Sequence, residues 1–354
     1  MTHLFDPISI GTLTLPNRAI MAALTRARAG RSHIPNALMA EYYAQRASAG
    51  LIISEATMVA ADGCAFTGEG GLFDDACVGG WKLVTDAVHA SGGRMAVQLW
   101  HPGRAAHSSL NNGAQPVSSS DRAIAGDTIH TPTGTHAYEA PRKLENREIA
   151  GYVALFADAA VRAKSAGFDG VQIHAAHGYL IDQFLRDSLN DRSDAYGGSL
   201  PARAKFLLEI VDAVAQVFDP KLISVRISPL VPFNDMADSD PAALVKYVAE
   251  QLQVRGIGAL EMRHADHALP AEQALAKIAR ASFQGSLWAN GSYDLTSAQA
   301  AIESNALDAV VFGRPFIANP DLVERYRSGH ELNAVDFTTL YTPGPKGYTD
   351  YPVS

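Results

Sequence analysis

The apolar positions of this chain change rhythm repeatedly, from helical spacing to a short unbroken run, with a glycine between the two. Tyr42-Tyr43-Ala44-Gln45-Arg46-Ala47-Ser48-Ala49-Gly50 leads into Leu51-Ile52-Ile53-Ser54, and Ala87-Val88-His89-Ala90-Ser91-Gly92-Gly93 leads into Met95-Ala96-Val97-Gln98-Leu99. The phrase returns as Ala163-Lys164-Ser165-Ala166-Gly167 before Val171-Gln172-Ile173-His174, and as Leu252-Gln253-Val254-Arg255-Gly256 before Ala259-Leu260-Glu261-Met262. Glycine suits the residue past a helix end, where φ is often positive and a side chain would be strained. In the helical halves Ile149, Val153, Phe156, Ala157, Ala160 and Val161 fall on one face, as do Phe206, Leu207, Ile210, Val211 and Val214. Asp240-Pro241 reads as an N-cap with proline in the first turn, and Thr296 with Gln299 as a capping box.

Four further apolar runs, at 19–22, 222–227, 286–289 and 309–312, complete a set of eight strands. Eight strands alternating with about eight helices predict an α/β fold, the (β/α)8 TIM barrel. A doubly wound open sheet is the runner-up, but no GxGxxG follows the first strand and no acidic residue is placed for a ribose. One barrel domain over 1–354 is therefore expected. The third strand is separated from its helix by an abnormally long segment, about 102–147, rich in Gly, Pro, Ser, Thr and His, with turn signals at Asn112-Gly113 and Thr133-Gly134. Such an insertion on a barrel is expected to cap the site. Ile8-Ser9-Ile10-Gly11-Thr12-Leu13-Thr14-Leu15 alternates like a hairpin that could plug the barrel bottom.

Composition narrows the class. The 354 residues carry 29 Lys+Arg against 37 Asp+Glu, a net charge of −8, and 47% are apolar. A chain of that balance buries enough apolar surface to fold, and with no basic run it offers nothing to nucleic acid. No run approaches the length of a membrane span, and Met1-Thr2-His3-Leu4-Phe5-Asp6 lacks the blocks of a signal peptide. The two cysteines, Cys64 and Cys77, are too few for a disulfide framework or a cysteine zinc site. A cytoplasmic protein is expected, with both thiols reduced.

Barrel chemistry is built where strands end. Those positions hold Thr25-Arg26, Glu55-Ala56-Thr57, Gln98 with Trp100-His101, the cluster His174, His177 and Tyr179, then Arg226, Asn290-Gly291 and Gly313-Arg314. The set is poor in carboxylates, which speaks against glycosidase chemistry. The ends of strands seven and eight are the phosphate corner of many barrels, and Gly291, Gly313 and Arg314 bare backbone N–H groups beside a guanidinium. His174, His177 and Tyr179 can converge on one ligand atom; two imidazoles could instead hold zinc, although further ligands are lacking. Gln98 and Arg226 point inward, toward a flat polar cofactor or, for Arg226, toward Glu55.

These residues lie within longer blocks that resemble the Old Yellow Enzymes, FMN-dependent ene-reductases, and most closely their bacterial N-ethylmaleimide-, glycerol-trinitrate- and xenobiotic-reductase-like branch. The blocks are Pro16-Asn17-Arg18, Leu24-Thr25-Arg26, Tyr42 to Thr57, Val97-Gln98-Leu99-Trp100-His101, Ala175-Ala176-His177-Gly178-Tyr179-Leu180, Tyr196-Gly197-Gly198-Ser199, Arg226-Ile227-Ser228-Pro229, Phe312-Gly313-Arg314-Pro315-Phe316 and Gly347-Tyr348-Thr349-Asp350-Tyr351-Pro352, in order along nearly the whole chain. The resemblance implies tight, non-covalent FMN, reduced by NADPH or NADH. It implies that Ala23 and Thr25 lie at the flavin, with Thr25 on O4. Ala56 and Gln98 line the ring, Arg226 sits near N1 and O2, and Gly291, Gly313 and Arg314 clamp the phosphate. His174 and His177 would hold the oxygen of an electrophilic alkene, with Tyr179 as proton donor and Phe66, Trp100 and Tyr341 in the substrate pocket. No resident metal is implied, and the assembly would be a monomer or homodimer. This chain departs from the family where Ala23 replaces a proline, where Phe66 stands for a common tyrosine, and at Arg263-His264-Ala265-Asp266-His267, a short and unusual loop.

Overall fold

A computed structural model describes residues 2–354. The chain begins with β1 (Ile8–Ile10), β2 (Leu13–Leu15) and β3 (Ala19–Met21), then α1 (Ala37–Ala44), β4 (Leu51–Met58), α2 (Asp75–Ala90) and β5 (Met95–Trp100). The long insertion carries β6 (Val117–Ser118), β7 (Thr128–Thr131), β8 (Gly134–Ala137) and β9 (Arg142–Lys143). After it come α3 (Asn146–Ser165), β10 (Gly170–Ala175), α4 (Leu180–Leu185), α5 (Leu200–Val214), β11 (Ile223–Ile227), α6 (Pro241–Val254) and β12 (Ala259–Arg263). The chain finishes with α7 (Pro270–Ser282), β13 (Ser286–Asn290), α8 (Leu295–Glu303), β14 (Ala309–Phe312), α9 (Arg314–Ala318) and α10 (Leu322–Ser328).

Eight strands, β3, β4, β5 and β10 to β14, close into a parallel barrel with β14 returning to β3, as the strand-and-helix rhythm predicts. Helices cover the outside and side chains fill the inside, so the strands are apolar without alternation; every residue of β4, β5 and β10 is buried. The helix faces behave as the spacing predicts: Phe206, Leu207, Ile210, Val211 and Val214 of α5 are all buried. Val161 is the exception. It is 52% exposed on the rim of α3.

Two local readings are corrected. The cap of α8 is Asp294, whose Oδ1 accepts from Ser297 N–H at 2.8 Å, and not Thr296. Asp is as good a cap as Thr and begins the helix earlier. Gln299 instead ties down the N-terminal segment by accepting from Leu4 N–H at 2.9 Å. The second barrel strand also runs on to Met58, so Glu55 and Ala56 lie inside it rather than after it. A bulge between Ile53 and Ala56 shifts its register against β5 and sets Ala56 opposite Gln98.

The β1–β2 hairpin closes the bottom. Ile10 and Leu15 join Ile20, Leu51, Ala96, Ala259 and Trp288 in an apolar plug. At the top, the insertion forms a β6–β9 pair and a β7–β8 hairpin. Arg104 anchors it, donating to the carbonyls of Arg122 and Ala123 on one side and of Asn234 on the other. Among the described residues no helix is long and apolar enough to cross a membrane.

Candidate active site

The strand ends surround a cavity of about 630 Å³. Ala23, Thr25, Ala56, Gln98, Arg226, Gly291, Gly313 and Arg314 all line it, and so do His174, His177 and Tyr179. The eleven positions come from seven different strand ends, and barrel closure alone brings them together.

A chain of buried polar side chains lies at its floor. Glu261 Oε1 meets Arg226 Nε at 2.8 Å, and its Oε2 accepts from Gln172 Nε2 at 2.8 Å. Gln172 Oε1 then accepts from Gln98 Nε2 at 2.7 Å. A carboxylate only accepts, so the direction of the whole chain is set: each amide turns its nitrogen toward Glu261. Gln98 is left with its carbonyl oxygen free for whatever fills the cavity. The expected alternative partner of Arg226, Glu55, is elsewhere. Its Oε2 accepts from the backbone N–H groups of Arg26 and Ala27 at 3.0 and 3.2 Å. Strand register decides this, because Arg226 sits directly opposite Glu261.

One wall is cationic. Besides Arg226 and Arg314 it holds Arg263, the last residue of β12, which sequence reading noted only as an unusual loop start. Among the described residues Arg263 donates no side-chain hydrogen bond, and its Nη1 is buried without a partner. Burial, together with Arg226 nearby, lowers its pKa. Next to it, Gly291 has φ +149°, and a Cβ there would stand 2.6 Å from the Cβ of His264. At Gly313, by contrast, an added Cβ would meet Leu24 at an ordinary 3.7 Å, so its bareness serves the cavity rather than the chain. An unmatched guanidinium beside bare backbone is the donor set of a phosphate site.

The opposite end holds the imidazoles. Ala176 N–H donates to His174 Nδ1 at 3.3 Å, which leaves the His174 proton on Nε2. His177 has φ +58° and is held there by Ser228 Oγ, which accepts from its N–H at 2.7 Å, and by Asn234 Nδ2, which donates to its carbonyl at 2.8 Å. The two rings lie 5.6 Å apart, and His174 meets the Tyr179 ring edge-on at 5.1 Å. Burial and the Arg226 charge push both imidazoles well below their usual pKa, so they are neutral N–H donors. Burial pushes the Tyr179 hydroxyl up, so it keeps its proton. Two neutral donors beside a protonated phenol can polarise a carbonyl or nitro oxygen and then supply a proton.

Tyr179 also borders an outer cavity of about 650 Å³. Phe66, Tyr138, Tyr341 and the β7–β8 hairpin residues Ile129 and His130 line it. Phe66 stacks on Tyr341 at 5.8 Å. Trp100, expected in the pocket, lines neither cavity. It is fully buried behind Tyr179, edge-on at 5.1 Å. Arg263, Gln172 and Glu261 are the site residues that sequence reading missed. All three occupy inward positions of barrel strands, where a polar residue is itself a signal.

One cavity at the strand ends thus gathers a cationic corner with bare glycine backbone, a polar floor, and two imidazoles beside a phenol. A profile of the NADH:flavin oxidoreductase / NADH oxidase family matches residues 3–333. A probable flavin mononucleotide-dependent alkene reductase of Leishmania infantum is 44% identical over 99% of this chain and 97% of its own length. Morphinone reductase, solved in complex with tetrahydroNAD, superposes with a TM-score of 0.96 at 44% identity, covering 100% of this chain and 98% of that one. The Old Yellow Enzyme homologue of Zymomonas mobilis does so at 0.96 and 43%, covering both chains fully. The chain belongs to the NADH:flavin oxidoreductase / NADH oxidase family and is an FMN-dependent oxidoreductase of the Old Yellow Enzyme kind. The residues fit that cofactor: the orphaned Arg263 nitrogen and the glycine backbone suit its phosphate, and the free Gln98 oxygen suits a ring N–H.

Proposed function

We propose that the protein reduces activated alkenes (α,β-unsaturated carbonyls, nitroalkenes and maleimides) in a two-stage cycle, with NADPH or NADH leaving before the alkene binds. FMN, when bound, would supply the hydride chemistry that links the nicotinamide to the alkene β-carbon. The protein's own groups do the rest. Gly291, Gly313, Arg314 and Arg263 would hold the FMN phosphate, Thr25, Ala23 and Ala56 would frame its ring, and Gln98 and Arg226 would bind its polar edge. His174 and His177 donate to the substrate oxygen and stabilise the charge that develops there. Burial of the two rings makes their N–H groups worth more than they would be in water. Tyr179 gives its proton to the α-carbon, so one hydride and one proton add across the double bond. The same imidazole pair would receive a nitro oxygen, which extends the range to nitro compounds. The observation that carries this reading is that the neutral His174–His177 pair and the protonated Tyr179 face the same cavity as the phosphate corner.

The test is an anaerobic visible spectrum. The purified protein is expected to be yellow, to bleach with NADPH or NADH, and to recover its colour when 2-cyclohexenone is added. A protein that binds FMN and bleaches but never recovers with any activated alkene would end the proposal while leaving the family intact.

A further inference from the structure

Away from the cofactor cavity, three side chains of different donor chemistry come together under the wall of the outer cavity. They are His33, from the turn before α1, and Cys64 and Glu69, from the loop after β4. One ligand atom from each lies within 4.8 Å of the other two. The loop itself organises the cluster: Ala65 N–H and Phe66 N–H donate to Glu69 Oε1 at 2.8 and 2.9 Å, which turns Oε2 toward the other two groups.

Glu69 Oε2 is buried and accepts no hydrogen bond, although Glu69 is fully inaccessible to solvent. An oxygen in that state normally forfeits about 1–3 kcal/mol, so folds rarely leave one unmatched. Nearby charge is scant. His33 Nδ1 is 3.9 Å away and lies closer, at 2.9 Å, to the Glu69 carbonyl oxygen. The imidazole offers one ring nitrogen as a ligand, with the proton carried on the other. The Cys64 thiol donates to the Phe66 carbonyl at 3.2 Å and lies beside the Glu69 carboxyl, and Cys64 is 2% exposed. The His33 side chain, 17% exposed, leaves a path from solvent.

We infer that His33, Cys64 and Glu69 form a binding site for a divalent zinc ion, with water as the fourth ligand. One imidazole nitrogen, one thiolate and one carboxylate are a borderline-soft set that suits Zn²⁺ and excludes Mg²⁺ and Ca²⁺, which take oxygen ligands. On binding, the thiol releases its proton and the ion supplies the charge that Glu69 Oε2 lacks. The site joins two segments that share a wall: Gly30 and Arg31 beside His33, and Ala65, Phe66 and Gly68 beside Cys64 and Glu69, all line the outer cavity. The ion thus fixes the placement of Phe66 and stands outside the hydride chemistry.

Flavin-loaded protein is stripped with chelator, exchanged into buffer containing micromolar ZnCl2, and freed of loose metal by gel filtration before zinc is counted by elemental analysis. One zinc per chain is expected in the parent and in the His174→Ala/His177→Ala variant, and close to none in Cys64→Ser/Glu69→Gln or in His33→Ala. X-ray absorption at the zinc edge should show one sulfur at about 2.3 Å. A parent that retains no zinc, or zinc retained in full by the Cys64→Ser/Glu69→Gln protein, overturns the inference; so does loss of zinc with His174 and His177 alone. His33→Ala alters only a partly exposed turn residue, so it decides the matter should the double variant fail to fold.

Discussion

Removing the Arg263 guanidinium tests the cationic wall most sharply, because two effects of opposite sign are expected. In the protein alone, Arg263 lacks a hydrogen-bond partner and stands near Arg226, so Arg263→Ala removes an unmatched charge and should leave stability without flavin unchanged or slightly higher. With FMN bound as proposed, the same side chain would face a phosphate dianion. A charge-assisted hydrogen bond is worth about 1.5–3 kcal/mol, and at about 1.4 kcal/mol per tenfold the variant should bind FMN roughly ten- to a hundredfold more weakly. Riboflavin, which has the ring but no phosphate, should bind parent and variant alike. The assay is quenching of flavin fluorescence by the apoprotein, with urea unfolding of the same apoprotein as the second readout. An equal loss of affinity for FMN and riboflavin would refute the reasoning and move Arg263 to the ring. No loss for either would remove it from the site.

The remaining expectations concern the other end of the cavity and the buried acid behind it. Tyr179→Phe should leave bleaching by NADPH or NADH intact but slow turnover of weakly activated alkenes about 10²- to 10⁴-fold, the usual worth of a positioned acid; unchanged turnover over several alkenes would remove the proton-donor role. His174→Ala/His177→Ala should weaken phenol binding at least tenfold in a spectral titration, since a phenolate oxygen mimics the charge that the two N–H groups stabilise, and unaltered binding would argue against the clamp. Burial pushes the Glu55 carboxyl up from 4.5 to about 7, so the folded state holds a proton that the unfolded chain releases. Stability that is fully present below pH 4.5 should therefore fall as pH rises through 7, by roughly 3 kcal/mol in all. Glu55→Gln keeps an acceptor for Arg26 and Ala27 and should flatten that slope in urea unfolding from pH 5 to 8; parallel slopes in parent and variant would show that another group carries it.

Polar residues inside an apolar strand were legible as candidates, but not their partners. Gln98 and Arg226 stand out in the sequence, yet the direction of the Glu261–Gln172–Gln98 chain needs the register of four neighbouring strands. Trp100 shows the converse: it ends β5 two residues past Gln98, yet it is fully buried against Tyr179 and lines neither cavity. The cluster of His33, Cys64 and Glu69 left no sequence signal, because its members have no metal-site spacing and meet only through the fold of the loop after β4.

Local rules therefore account for the elements and their order. Glycine past the end of four helices, unbroken apolar strands and caps such as Asp240 depend on a few neighbouring residues, and they suffice to predict eight strands alternating with helices and a barrel. Proximity across the barrel is of another kind. Which guanidinium meets Glu261, which is left facing the cavity, and which tryptophan is hidden are set by strand register and closure. Those come from packing the whole ring of strands at once, where a shift of one residue turns every side chain to the other face.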